Sequence, residues 1–433
     1  MPKVSRESLL TFLRTGGGKT SRELCARFGV SQPTMSRLLS SLKDTVIPVG
    51  RGPRSRYFSL NGPKDVPVFC VNERGACSPI GHLSVLDGGF FFESGSTMPA
   101  LLGNEFRDGL FDALPWFIHE MRPQGYLGRA IARSIYGEEG FSRTLTDWDD
   151  NTILRYLLQY GGDEPGALIV GERARERFLS SQANVIPERV RENFYERLAE
   201  IMLAGGIPGS SAAGEQPKFC AAIENASGSI RHVIVKFSGN RDIPAEMRRA
   251  DLLIAEFWAG ETLREFGFPV PAAELVFAGN RCFLESTRID RIGEFGRRWT
   301  CSLAAIEPAF IGSGSPSWSG MVRAGKRMGV FSRETLEKVI ALENFGRAIG
   351  NDDMHWGNLS FVVSATFPFE LAPIYDMSPM AYRVRGDSSF PTTSLTHRAP
   401  DAQSEAMLQK FRGYVAGDAR ISPGFREIMK TLR

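Results

Sequence analysis

Long apolar runs, paired cysteines and one-sided charge are what this chain of 433 residues has little of. No apolar stretch approaches the ~20 residues that a membrane-crossing helix needs, so neither a transmembrane helix nor a membrane partner is expected. The opening segment, MPKVSRESLLTFLRT, lacks the long apolar core of a secretory signal. Cys25, Cys70, Cys77, Cys220, Cys282 and Cys301 lie scattered with no CxxC pair, which reads as buried free thiols in a reducing cytosol. The expected location is therefore cytoplasmic. Apolar content of 42% and charged content of 23% are ordinary for a globular chain and argue against wholesale disorder. The length exceeds what one core serves, so two to four domains are expected.

The net charge of +3 conceals an asymmetry: residues 1–60 hold eleven Lys/Arg against three Asp/Glu, or +8, leaving −5 for the remainder. A basic head on an acidic body points to a polyanion partner for the head alone. Within that head, SRESLLTFLRT has the apolar spacing of a short helix, closed by Gly16-Gly17-Gly18. Thr20 with Glu23 has the form of a capping box opening a second helix, which Gly29 ends. Ser31 is placed to cap a third helix, with Pro33 in its first turn where a missing N–H costs nothing. Helix, glycine turn and helix at this spacing form a DNA-reading motif. Its third helix offers Ser31, Gln32, Thr34, Ser36 and Arg37 to base edges and phosphates. TVIPV, GRGPRSR and YFSL then read as two strands around a basic turn, a wing whose Arg51, Arg54 and Arg56 suit the DNA backbone. The competing reading is a small helical interaction module with a solvated basic loop.

Residues 63–150 read as a small α+β subdomain without identifiable chemistry, built on the hairpin GHLSVLDGGFFFES. Residues 151–295 change character after the helix ERVRENFYERLAEIMLAG. The stretch GGIPGSSAAGEQPKFCAAI, with Gly209, Ser210, Ser211, Ala212, Ala213 and Gly214, is a small-residue loop able to bring backbone N–H groups to phosphates. A surface loop of no further role fits that text equally well. HVIVKFSG sets Lys236 within an apolar strand, and the following helix carries Glu246, Glu256 and Glu261 within reach. A strand lysine paired to a helix glutamate while holding phosphates is the arrangement of a kinase N-lobe. RCFLESTRIDR then supplies a strand leading to an interlobe hinge at Glu285, Ser286 and Thr287.

Residues 296–433 carry the sharpest signal, GNDDMHWGNLSF. Asp353 and Asn358 are five apart, the interval of base and metal ligand in a kinase catalytic loop. One carboxylate must orient the acceptor hydroxyl, while the Asn coordinates Mg²⁺ on the nucleotide. A hairpin from Leu359 to Tyr375 returns Asp376 to the level of Asn358, giving two hard oxygen ligands. Taken singly, each of these residues also suits a turn or cap, His355 included.

The blocks GSSAAGEQPKF, VIVKFSG, GNDDMHWGNLSF and IYDMSP resemble those of the HipA family of toxin kinases, and the chain is similar to its helix-turn-helix-bearing subgroup. The resemblance spans about residues 70–410. It implies an α+β multidomain chain: a winged helix-turn-helix over 1–62, then a HipA-like two-lobed kinase fold using ATP and Mg²⁺. Asp353 would be the catalytic residue and Asn358 and Asp376 the metal ligands. Lys236, His355 and the 209–214 loop would lie on the nucleotide, with Ser211 the autophosphorylated serine and Ser210 its neighbour. Pro217 stands where the family usually has an acidic residue, and ESTRIDR is looser than the usual hinge text. The resemblance also implies growth inhibition by phosphorylating a host protein, with an aminoacyl-tRNA synthetase as candidate. DNA bound in cis, a HipB-like antitoxin, nucleoid association and a homo-oligomer all fit it. The rival reading is a DNA-binding transcriptional regulator whose kinase-like body senses a nucleotide.

Overall fold

The structure, a computed structural model, describes residues 4–95, 108–138, 140–180, 185–204, 216–393, 395 and 399–431. The head folds as helices Arg6–Arg14, Ser21–Phe28 and Gln32–Ser40. A three-stranded antiparallel sheet joins them, with Arg56–Ser59 central between Lys19–Thr20 and Val46–Val49. This is the element order expected of a winged helix-turn-helix. The Thr20 hydroxyl accepts from the Glu23 N–H at 3.3 Å and the Glu23 carboxylate accepts from the Thr20 N–H at 2.7 Å, closing the capping box. Gly29 takes a φ of 63° at the turn, a conformation that side chains disfavour. Ser31 sits at the third helix's cap position, but its hydroxyl pairs with that of Thr34 instead of capping a backbone N–H. Leu9, Leu13, Leu24, Met35, Leu39, Leu42 and Val46 make the core.

No free linker separates head from body. Ile47 and Val49 of the wing bury against Leu86. Leu60 bridges to Leu86, and the Asn61 N–H donates to the Val85 carbonyl at 3.0 Å.

The middle unit is a five-stranded sheet in the order Leu110–Phe111, Gly89–Ser94, Cys77–Leu86, Val66–Val71, Leu168–Val170. Its fifth strand lies beyond the boundary expected at residue 150, because Val170, Ile169 and Leu168 pair antiparallel with Val68, Phe69 and Cys70. The helix Glu172–Ser180 then covers that edge with Ala174 and Phe178, so the unit runs to Ser180.

The second five-stranded sheet has the order Ala273–Ala278, Arg281–Thr287, Ile230–Phe237, Lys218–Glu224, Val185–Pro187. One face is sealed by Tyr195, Ala199 and Met202 of the helix Arg191–Leu203 against Phe219, Ile223, Val233, Val235, Phe237 and Phe283. The boundary expected at 295 would cut a hairpin, since Arg291–Ile292 pairs with Gly296–Arg297. The last lobe therefore begins near Thr300–Ser302, which pairs with Ser360–Val362. Four helices, Trp318–Arg327, Arg333–Ile349, Ala402–Gly417 and Pro423–Lys430, carry most of it. Among the described residues no helix is long and apolar enough to cross a membrane.

Middle unit and sheet are clamped by a buried ion cluster at the end of the strand Arg281–Thr287. The Asp290 carboxylate, 6% exposed, accepts from Arg288 at 3.0 Å, Arg291 at 2.8 Å and the Gly166 N–H at 2.9 Å. Asp163 accepts from the same two arginines at 3.1 and 2.7 Å. Burial opposes charge on both acids, yet the guanidinium groups hold both well below the usual carboxylate range. Deleting one partner leaves buried charge uncompensated, so Asp290→Ala is expected to lower unfolding stability by ~3–5 kcal/mol in denaturant titrations. A depressed carboxylate contributes stability that is full above its unfolded value near pH ~4 and lost as pH falls through the folded value. Asp290→Asn should therefore show a shallower acid limb than the wild type, and equal limbs would exclude this role.

Candidate functional site

The open face of the second sheet forms the roof of a cleft of about 190 Å³. Strand alternation decides who faces it. Val233, Val235 and Phe237 point into the sealed core, so Ile234 and Lys236 point the other way and line the cleft. Lys236 is only 9% exposed, which rules out an outward-facing lysine. Its ammonium donates to Glu256 Oε1 at 2.6 Å and to Asp376 Oδ1. Burial disfavours its charge, but Asp376 and Glu256 outweigh that and raise it above the ordinary lysine range. Of the three glutamates within reach, the structure selects Glu256, on the helix Pro244–Glu265. Glu246 is spent on the Gly239 N–H and Arg249, and Glu261 on Arg264.

The floor comes from the loop that holds Asn351 and Asn358. The helix Arg333–Ile349 stops at Gly350, φ 78°, and the buried Asn351 organises the loop beyond it. Its Oδ1 accepts from the Asp353 N–H at 3.1 Å and its Nδ2 reaches the Asp376 carbonyl at 3.5 Å. Asn358 Nδ2 donates to the Asp353 carbonyl at 2.9 Å, so its Oδ1 is the atom that could take a metal. The hairpin pairs Phe361 with Leu371 and Val362 with Glu370, shorter than the segment expected. It still returns Asp376 to this level, because the Tyr375 hydroxyl donates to the Gly357 carbonyl at 2.9 Å and bonds Ser360 Oγ at 2.6 Å. Asp376 has a φ of 56°, and left-handed backbone at a non-glycine residue is a cost that functional sites tolerate.

Asp352 is engaged by Arg383, whereas Asp353 is exposed and touches Asn358 through its backbone carbonyl. Asp353 does not line the cleft wall, which takes Gly357, Asn358 and Asp376 there. His355 does not line it either: Nδ1 accepts from the Gly357 N–H at 3.0 Å and caps the turn Trp356–Asn358. Asn358 and Asp376 supply the two hard oxygen donors that a Mg²⁺ shared with nucleotide phosphates needs. Burial opposes charge on Asp376, but Lys236 and Lys218 hold it below the usual carboxylate range, ionised as a metal ligand must be.

Of the hinge residues, Ser286 and Thr287 line the cleft. Glu285 corrects the expectation. Paired with Val235, it shares that residue's face and points away, into Arg231, Arg191 and the Tyr195 hydroxyl. Gly209, Ser210, Ser211, Ala212, Ala213 and Gly214 lie outside the described residues. Lys218 escaped the sequence reading. It pairs directly with Lys236 across the strands, is 2% exposed and lines the same cleft, and burial pulls it below the usual lysine range. The signal was the alternation of the strand it opens. Glu120, Gln124 and Pro165 of the middle unit also line the cleft, and no local pattern announced them.

In the head, Ser31, Gln32, Thr34, Ser36 and Arg37 are exposed along the third helix, as are Arg51 and Arg54 on the wing. Arg56 differs: it stacks over Phe58 and pairs with Asp108 at 3.1 Å.

Two stretches of the chain match known family domains. The family described as YjjJ-like toxin, middle domain, matches residues 62–179, and the HipA-like C-terminal domain matches residues 210–432. Toxin YjjJ of Escherichia coli K12 is 33% identical over 437 residues, covering 98% of this chain and 96% of that protein. Among solved structures, the Shewanella oneidensis HipA in its complex with HipB and operator DNA aligns over 85% of this chain and 91% of that one, at 16% identity and a TM-score of 0.46. The Helicobacter pylori proinflammatory kinase CtkA aligns over 51% of this chain and 87% of that one, at 12% identity and a TM-score of 0.36. By sequence identity over nearly its whole length and by a domain match over half of it, the chain belongs to the HipA family of toxins, in the YjjJ-like group.

Proposed function

We propose that this protein is an ATP- and Mg²⁺-dependent serine/threonine protein kinase that inhibits growth by phosphorylating a host protein, and that its head binds DNA. The observation that carries the kinase reading is the buried Lys236–Glu256 pair meeting Asp376 beside Asn358. A strand lysine tied to a helix glutamate, opposite two metal-ligand side chains, has one well-understood use, which is phosphoryl transfer from a nucleotide. Lys236 and Lys218 would bind phosphate oxygens, and Asn358 and Asp376 would hold the metal. Mg²⁺, when bound, supplies charge neutralisation on the phosphates. Asp353, exposed on the same loop as Asn358, would orient the acceptor hydroxyl and take its proton. Exposure suits that role, because the acceptor is carried on another protein or on a loop of this chain. Ser211 is assigned to autophosphorylation. A phosphate there would add about −1.5 to −2 charges to a loop meant for phosphates, switching the enzyme off by repulsion.

With purified full-length protein and Mg-ATP, Asp353→Asn is expected to lower phosphoryl transfer by at least ~10²-fold with nucleotide affinity nearly unchanged. Asp376→Ala should instead weaken Mg-ATP binding itself. Mass spectrometry should find phosphate on Ser211 in the wild type and none in Asp353→Asn. An Asp353 variant that still phosphorylates itself and lysate proteins at the normal rate refutes the assignment of the base.

The DNA reading rests on the exposed polar face of the third helix beside a basic wing. Gel retardation of full-length Arg51→Ala/Arg54→Ala should show weaker binding on every duplex and a salt slope shallower by about 2. Gln32→Ala or Arg37→Ala should change which sequences are preferred. Arg56→Ala should matter less than either wing partner, since Asp108 already compensates it. Retardation unaffected by all of these changes removes the head from DNA recognition.

A further inference from the structure

The cleft is not built from the two lobes alone. Glu120 and Gln124 of the middle unit bring hydrogen-bonding side chains to its wall. Glu120 follows the short helix Trp116–His119, whose Trp116 and Phe117 meet Phe310 and Trp299 edge to face, with ring centroids 5.1 and 6.4 Å apart. That packing fixes the turn from which the carboxylate crosses to the strand Thr300–Ser302. There its Oε1 accepts from the Ser302 N–H at 2.9 Å. Among the described residues its hydrogen-bonding partners all come from Ser302. A carboxylate offers about four lone-pair sites, so acceptor capacity is left for a ligand. Gln124 is half-buried at the cap position of the helix Gly125–Ser134, yet its side chain makes no capping hydrogen bond.

Strand register gives the distance of Glu120 from the metal ligands. Ser302 pairs with Ser360, and Asn358 lies two residues before Ser360, or about 7 Å along an extended chain. Ser360 Oγ bonds the Tyr375 hydroxyl at 2.6 Å, and Tyr375 immediately precedes Asp376. The Glu120 carboxylate is thus anchored one short step beyond both oxygen ligands, in the same cleft. Phosphates held by Lys236, Lys218, Asn358 and Asp376 would put the next unit of a nucleotide, its sugar, at that step. Ile234, Leu284 and Ile374 supply apolar surface that suits the base. A ribose presents two hydroxyl donors side by side, and a charged acceptor holds them more strongly than a neutral one.

We propose that Glu120, assisted by Gln124, binds the ribose hydroxyls of the nucleotide, so that the middle unit selects ribonucleotides over deoxyribonucleotides. The inference rests on the kinase reading of the cleft and adds its sugar specificity.

Calorimetric titration of the full chain with Mg-ATP, Mg-2′,3′-dideoxy-ATP and Mg-tripolyphosphate tests it. Wild type should bind ATP at least ~10-fold more tightly than the dideoxy form, as hydrogen bonds to a charged group require. Glu120→Gln keeps an oxygen for the Ser302 N–H and turns an N–H toward the cleft. Folding should survive that exchange, which the thermal midpoint checks, while the preference falls to within ~2-fold. Mg-tripolyphosphate should bind this variant and wild type alike, because the phosphate end is untouched. Gln124→Ala should reduce the preference by at least ~2-fold, and it decides the matter if Glu120→Gln does not fold. Full preference retained in the folded variants overturns the proposal. So does a loss in Glu120→Gln that is equal for ATP and the dideoxy form, which would assign the carboxylate to the base or to packing between units. Wild type that binds both nucleotides without preference sinks the ribose assignment and leaves the kinase reading standing. Wild type that binds neither refutes both.

Discussion

Everything that gives the cleft its shape passes through one ammonium group. Lys236 stands in the middle strand of the sheet, Glu256 on the long helix and Asp376 at the end of the second lobe's hairpin, and the lysine joins all three. None of the three would be stable there alone, because a buried charge without a partner shifts its protonation or disorders its surroundings. The sheet's strand alternation turns Lys236 inward, the helix supplies a compensating acid, and Tyr375 and Asn351 bring the other acid back to the same depth. The arrangement fixes lobe against lobe at the cleft. It also explains why Asp376 tolerates left-handed backbone, since moving it to relax the chain would strand the lysine.

What was legible in the sequence was what is local. Asn358 and Asp376, which line the cleft, stand out by spacing around one loop and one hairpin, and the capping box at Thr20 and the glycine turn at Gly29 mark the head's helices within a few residues. Lys236 was conspicuous as a charge inside an apolar strand. The phase of a neighbouring strand was not legible in the same way. Glu285 is a polar residue in a strand leading to a hinge, and only its register against Val235 shows that it faces Arg231 and Arg191, away from the cleft. Lys218 was missed for the same reason in reverse, since its cleft-facing side is set by pairing with Lys236.

The middle unit shows a second limit of local reading. Its boundary lies thirty residues later than composition suggests, because Leu168–Val170 completes a sheet begun a hundred residues earlier. Glu120 enters the cleft by accepting from the Ser302 N–H at 2.9 Å, a contact between residues far apart in the chain. Burial raises its carboxyl above the usual carboxylate range. This acid has no motif, and its place in the cleft arises from the packing of separate segments.

The seam between head and body has a mechanical meaning. Because Leu60 and Asn61 continue backbone pairing onto the strand Cys77–Leu86, and Ile47 and Val49 share a core with Leu86, the head cannot swing without breaking hydrogen bonds and wetting apolar surface. The same sheet ends, on its far side, in the segment whose Gly166 N–H is fixed to Asp290 at the cleft's rim. Backbone pairing and shared apolar packing thus run from the head through the middle sheet to the rim. A push on the third helix would therefore meet paired strands and packed apolar side chains on its way to the cleft, and not a loose linker.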